Sequence, residues 1–286
     1  MSSSNTFAGI PQMNAGIETA KTVLIPVPFS ANGKKHKGPD AFLAAAEKLE
    51  HYDIETDSEP YLQGIAIADE IAATSEEDVV SQVYAEVKDL IKRSKFVTLF
   101  GGNHTISIGA IRAANELFED LTILQLDAHA NVRRKHNGSK LNNCCALSEA
   151  NQEMNLIQVG IRSMNATEKT LINEDNVFFA SEMLLDEYWM DTAVDALKDD
   201  VYITLDLDVF DPSIFPSTEN PEPGGMGWFE TLELIKRVFD ERNVVGFDIV
   251  GLDADLATGN SEYLAAKLYY KMIAYKFNDV DPAKFD

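Results

Sequence analysis

The sequence predicts an α/β protein built on a parallel sheet, and three observations carry that prediction. Short β-branched runs alternate with longer stretches whose apolar residues recur at three- and four-residue spacing, the pattern of repeated βαβ units. The short runs are apolar throughout rather than at alternate positions, as strands covered on both faces are. Three of them are followed at once by clusters of His, Asp or Asn, and in open parallel sheets ligands bind beyond the carboxyl ends of the strands.

In chain order, strands are expected over residues 22–26, 96–100, 121–126, 155–159, 201–205 and 244–248. Helices are expected over 40–52, 75–94, 105–118, 166–173, 187–197, 228–242 and 260–275. Ser75, followed by Glu76 and Glu77, has the character of an N-cap with acids placed to complement the helix dipole. With no internal repeat, low-complexity tract or dividing linker, residues 1–286 are read as one domain, long enough to bury a full core.

Composition narrows the partners. Against 24 Lys and Arg stand 47 Asp and Glu, a formal charge of -23, which repels phosphate backbones and anionic lipid and favours small cationic ligands. Nucleic acid and membrane are therefore not expected as partners. Cys144 and Cys145 are adjacent, so a disulfide between them would be strained and would close no loop. The first twenty residues lack a basic n-region and an apolar h-region, and a reducing, cytoplasmic setting is the expectation.

The three polar clusters are where chemistry is expected. Gly101, Gly102, Asn103 and His104 follow the run FVTLF; Asp127, Ala128, His129, Ala130 and Asn131 follow LTILQL; Asp206, Leu207 and Asp208 follow VYITL. Alternate residues of an extended segment share a face, so Asp127, His129 and Asn131 converge, as do Asp206 and Asp208. Each piece alone is commoner as a turn cap than as a ligand, but a shared cation is the simplest reason for three strand ends to present aligned His and Asp together. Imidazole with carboxylate suits manganese or zinc. Two such ions about 3.5 to 4 Å apart bridge and activate a water.

GGNHTISIGA, LDAHANVR, VGIRS, DLDVFDPS and NPEPGGM occur in the order and spacing of the ureohydrolases. The chain resembles that arginase and agmatinase family from about Val23 to Tyr275, most closely the agmatinases. The resemblance implies a three-layer α/β/α fold around a mainly parallel sheet, manganese as the cofactor, one or two ions, and hydrolysis of a guanidino or amidino carbon–nitrogen bond. It also implies a homo-oligomer, a trimer or hexamer. Residue by residue, it makes His104, Asp127, His129, Asp206 and Asp208 metal ligands, with Asp127 and Asp206 reaching both ions and so taking part in catalysis.

Three departures accompany it. The family's sixth ligand is an aspartate where this chain has Asn131, a neutral amide that binds a hard cation more weakly. The family's proton-shuttling histidine falls at Asn143, which exchanges no proton near neutral pH. The glutamate that grips the guanidinium falls at Gly251, so a bidentate anchor is lost. Glu219 and Asn220, in the loop before PEPGG, stand near the presumed substrate, and His136 follows the second metal motif. Either Glu219 or His136 is a candidate replacement, but no residue is identifiable for the shuttle. Asp253 and Asp255 are similar loop acids. Gly101, Gly102, Gly224 and Gly225 are read as turn glycines of positive φ, and Arg162 as a scaffold residue.

Two functions stay open on the sequence alone. One is a manganese hydrolase of a linear guanidino or amidino compound, not efficient on agmatine; the other is an inactive homologue serving as a regulatory or ligand-binding protein.

Overall fold

The computed structural model describes residues 6–31, 34–256 and 259–278. Among these, eight strands form one sheet in the order β2-β1-β3-β8-β7-β4-β5-β6, every neighbouring pair parallel. They are β1 (Thr22–Val27), β2 (Ile65–Ile67), β3 (Phe96–Gly101), β4 (Thr122–Leu126), β5 (Asn155–Ile161), β6 (Val177–Phe179), β7 (Asp200–Asp206) and β8 (Asn243–Val250). The six expected strands are all present. The two unexpected ones, β2 and β6, are three-residue edge strands, too short to show a period.

Nine α-helices accompany the sheet among the described residues: α1 (Gly38–Ala46), α2 (Glu76–Lys92), α3 (Thr105–Leu117), α4 (Ser148–Glu153), α5 (Ala166–Lys169), α6 (Ala180–Met183), α7 (Trp189–Asp195), α8 (Trp228–Glu241) and α9 (Asn260–Lys276). Three expectations are corrected in length. Pro39 starts α1 early and the helix unwinds after Ala46, well short of 52. The 166–173 segment is one capped turn, with Asn165 and Glu168 forming a capping box. The third, 187–197, shrinks to α7. Ser75 caps α2 as expected, accepting from the Asp78 amide at 3.1 Å.

Two cores lie on opposite faces of the sheet. On one face α1, α7, α8 and α9 bury Phe42, Trp189, Leu234, Ile235, Tyr269 and Ile273; on the other α2, α3 and α4 bury Val83, Val87, Ile106, Ile111 and Ala150. The result is the three-layer α/β/α arrangement. Phe42 of α1 stacks on Phe100 of β3 with centroids 3.8 Å apart; truncating such a ring to alanine costs about 3 to 5 kcal/mol.

The sheet order decides where ligands gather. After β3 the chain crosses to β4, leaving a gap that β7 and β8 fill later. That reversal is a topological switch point, where the carboxyl ends of neighbouring strands open into a crevice. The polar clusters after β3, β4 and β7 are therefore brought together by the middle of the sheet.

Candidate metal centre

His104 stands at the head of α3, one short turn beyond β3, while Asp127, His129 and Asn131 follow β4 and Asp206 and Asp208 follow β7. Their side chains converge in two groups. His104, Asp127 and Asp206 form one; Asp127, His129 and Asp208 form the other; within each, the donor atoms lie within 4.8 Å of one another. Asp127, wholly buried, belongs to both.

The local chain folds back to aim these groups. The Asp208 carboxylate accepts from the Ala128 amide at 2.9 Å and lies 2.8 Å from His129 Nδ1. Asp127 accepts from the His129 amide at 2.6 Å and from Gln125 Nε2 at 2.8 Å. Gln158 on β5 in turn donates to Gln125 Oε1 at 2.6 Å and to the Ala130 carbonyl at 2.9 Å. Two glutamines inside apolar strands thus fix both Asp127 and the loop behind it.

A second buried network orients His104. Its Nε2 lies 2.9 Å from Thr204 Oγ1, which donates to Asp248 Oδ1 at 2.8 Å; Ser107 and Tyr202 donate to the same carboxylate. With the Thr204 proton committed to Asp248, its oxygen accepts from His104 Nε2, leaving Nδ1 to face Asp127 and Asp206 at 3.3 and 3.5 Å. Such outer partners fix the tautomer of a metal-ligating imidazole. Asp248 is fully buried, and burial raises its pKa above the usual carboxylate range.

Electrostatics demand positive charge here. Burial alone would lower the pKa of His104, but Asp127 and Asp206 overcome it and hold it well above its ordinary value. His129 behaves likewise: burial opposes protonation, yet Asp127 and Asp208 raise it to about 11. Burial and the neighbouring Asp206 and Asp127 push Asp208 up. Several carboxylates crowded into one largely buried crevice with two imidazoles are stabilised by cations, and oxygen and imidazole donors in this mixture fit a divalent manganese- or zinc-like ion.

Asn131 sits differently. Its backbone has φ 54°, a left-handed conformation that Asn tolerates well, and its Nδ2 donates to Asp127 Oδ2 at 2.9 Å while lying 3.3 Å from His104 Nδ1. The amide donor thus points where an aspartate would offer an oxygen. To ligate, it must turn its oxygen inward and give up the bond to Asp127.

The cleft above these groups has a volume of about 390 Å³ and is also lined by Asn143, Glu219, Asn220, Gly251 and His36. Asn143, Glu219 and Asn220 therefore face the same cleft as the donor groups. His136 does not line it: its backbone pairs with Ser139 and its ring approaches Arg133 at 3.5 Å. Gly251 is more than a missing anchor. At φ +92° its bare Cα leaves room for Asp206, whose Oδ1 would lie 2.1 Å from any added Cβ. Restoring a glutamate there would displace a metal-facing carboxylate.

The glycine expectations are also corrected. Gly224 has positive φ, but Gly101, Gly102 and Gly225 do not. They are required for close approach: a Cβ on Gly101 would meet Ile106 at 2.3 Å, and one on Gly102 would meet the His36 ring at 2.2 Å. Arg162 is a scaffold residue, donating to the carbonyls of Asp208, Phe210 and Glu222. Sequence reasoning missed Gln125, Gln158, Thr204 and Asp248, whose signal was a lone polar residue within an apolar strand, and His36, which carried no motif.

Comparison with known proteins agrees with this geometry. The arginase family model matches residues 20–274. An N(1)-aminopropylagmatine ureohydrolase of Synechocystis is 33% identical, covering 90% of this chain and 89% of that protein; an agmatinase of Pyrococcus horikoshii is 27% identical, covering 90% and 92%. The crystal structure of the agmatine ureohydrolase of Thermoplasma volcanium superposes with a TM-score of 0.81 at 27% identity, covering 92% of each chain. With its strand-end His and Asp clusters on the same scaffold, the chain belongs to the arginase family of ureohydrolases.

Proposed function

We propose that this chain is a manganese-dependent hydrolase cleaving a carbon–nitrogen bond of a linear guanidino compound, and that its preferred substrate carries a further amine beyond the length of agmatine. The observation that carries the reading is the convergence of His104, Asp127, His129, Asp206 and Asp208 into two donor groups sharing Asp127. When bound, such ions supply a hydroxide at neutral pH and polarise the carbon it attacks. Asp127 and Asp206 hold the centre together, and His129 and Asp208 complete one half.

The substrate class follows from charge and from the departures. Glu219 lines the cleft, and Glu222 lies 4.0 Å from His129 Nε2, so a cation is favoured over an anion. Asn131, Asn143 and Gly251 remove a charged ligand, a proton carrier and an anchor on which efficient agmatine hydrolysis would depend. The Synechocystis relative is named for a longer guanidino amine, whose additional ammonium supplies binding energy independent of the Gly251 position. The family resemblance further supports a homo-oligomer, a trimer or hexamer; the acidic composition supports neither nucleic acid nor membrane as partner, and the unbridged pair Cys144 and Cys145 supports a reducing, cytoplasmic setting. Among the described residues no helix is long and apolar enough to cross a membrane.

The test is urea release by manganese-loaded protein from N(1)-aminopropylagmatine, agmatine, arginine and guanidinobutyrate. The expected result is urea from the longest substrate, with agmatine turned over at least on the order of a thousandfold more slowly than the roughly 10 per second of an ordinary enzyme. Urea from none of them, with metal content verified, overturns the hydrolase reading. Ordinary agmatine turnover overturns the substrate choice.

A further inference from the structure

The loop between β4 and α4 walls two cavities. Arg133, Asn143 and Cys144 face the metal cleft, whereas Arg134, Lys135, Lys140 and Cys145 line a separate cavity of about 520 Å³, completed by residues of α3 and α4. The two cavities have no lining residue in common. The Arg133 amide donates to the Cys144 carbonyl at 3.0 Å, and the residues that follow each partner of that bond, Arg134 and Cys145, belong to the second cavity. This doubled stretch of loop is therefore the partition between them.

The sign of the charge reverses across the partition. On the cleft side carboxylates dominate, and Arg133 is paired with Glu168 at 3.1 Å. The second cavity sets Arg112, Arg134, Lys135 and Lys140 against Glu149 and Glu153, four cations to two carboxylates in a chain whose acids outnumber its bases by 47 to 24. Arg112 is gripped by Glu149, which accepts from its Nε at 2.9 Å and its Nη2 at 2.6 Å. The other three bases are not engaged. Among the described residues Arg134 is the one arginine with neither an ion pair nor a hydrogen bond, and Lys135 and Lys140 have no carboxylate partner either. Carboxylates are plentiful on this chain, so three unpaired bases on one concave wall draw an anion from outside it. Burial and Cys144 push the Cys145 thiol up to about 11, so it stays neutral and does not repel such a ligand.

The backbone that carries these bases is already fixed. His136 and Ser139 exchange two hydrogen bonds, at 2.8 and 2.9 Å, and Asn142 Nδ2 donates to Glu76 Oε1 on α2 at 3.0 Å. Binding therefore has less chain to order.

We infer that this cavity is a binding site for a compact organic dianion, a phosphate monoester or a dicarboxylate, separate from the metal cleft. Arg134 supplies the planar fork that suits either group, Lys135 and Lys140 add point charges, and Ile108, Leu141 and Ala146 offer an apolar wall to a carbon skeleton. The site does not depend on the hydrolase reading.

The test is calorimetric titration of the full manganese-loaded chain with glycerol 3-phosphate and with succinate, at low and matched ionic strength. Saturable binding of at least one of them, at one site per chain with Kd of about 1 mM or below, is expected, and the preferred probe tells phosphate from carboxylate. Arg134→Gln and Lys140→Gln each weaken that binding about tenfold, and the double variant abolishes it. Neither side chain bonds within the fold, so circular dichroism and manganese content stay those of the wild type. Absence of saturable binding overturns the inference. Undiminished affinity in the double variant also overturns it, because the anion then sits on the metal. Binding of a short single-stranded RNA while both small anions fail overturns it as well, since the bases would then belong to a surface for a polyanion.

Discussion

The two halves of the donor cluster share Asp127 but are built to different standards. In the half containing His129 and Asp208, every donor is an ionisable side chain, and the backbone amides of Ala128 and His129 clamp both carboxylates. In the half containing His104, the three donors His104, Asp127 and Asp206 are ionisable too, but Asn131 beside them turns an amide hydrogen toward Asp127. The first half is prepared for a cation. The second is partly neutralised by the chain itself, since the amide donor satisfies an oxygen that a metal would otherwise use. The contrast teaches that loss of one charge need not collapse a centre: Asn131 keeps the backbone shape and the hydrogen bonding of the crevice while weakening its demand for a second ion.

The largest effect is expected where the halves meet. Asp127→Asn removes the carboxylate common to both, and manganese content measured on the purified protein should fall to background; retention of one ion would show that the halves are independent. A smaller effect should separate them. Thr204→Val breaks the chain from His104 to Asp248 without touching His129, so affinity in the His104 half should fall about 10- to 100-fold with the other half unchanged, read by competition with a metal-sensitive dye. Equal weakening of both halves would show that Thr204 acts through the sheet rather than through the imidazole.

The smallest expected effect lies outside the cluster, at the loop carrying Glu219 and Asn220. Asp211 accepts from the Ser213 hydroxyl and amide and from the amides of Gly224 and Gly225, which together lower its pKa to about 2. A depressed carboxylate stabilises the folded loop above its unfolded value of about 3.9, and that contribution is lost as pH falls through the folded value. The protection of the Gly224 and Gly225 amides from hydrogen exchange, measured relative to the intrinsic rate at each pH, should therefore stay high at about pH 5 and fall between about pH 4 and 2, and Asp211→Asn should remove that fall. A protection factor in the wild type that is the same at both ends of that range would contradict this.

Much of the architecture was legible in the sequence because the strands of a doubly covered sheet are continuous apolar runs, and β1, β3, β4, β5, β7 and β8 all have that character. β2 and β6 were not legible: three residues at an edge make pairings to a single neighbour and leave no period. The donors were legible for the same reason as the strands, since each follows a run that had to end at the crevice. What supports them was hidden by its own position. Gln158, Thr204 and Asp248 point into the sheet layers, and nothing in a single sequence says which loop, ring or helix they reach across 28 to 141 residues. The place of His36 in the cleft wall was overlooked because it depends on Gly102, on a different loop, having no side chain; reading Gly102 as a turn glycine concealed the space it leaves. Gly251 misled in the opposite direction, appearing as an empty anchor point when Asp206 fills the space.

The most direct test is a manganese titration of metal-free wild type and Asn131→Asp protein, followed by calorimetry and by the spin-coupling signature of paired ions. One tight site per wild-type chain and a second that is weak are expected, with the second strengthened by about tenfold or more and magnetic coupling appearing in Asn131→Asp. Two equal, tight and coupled sites in the wild type would contradict it.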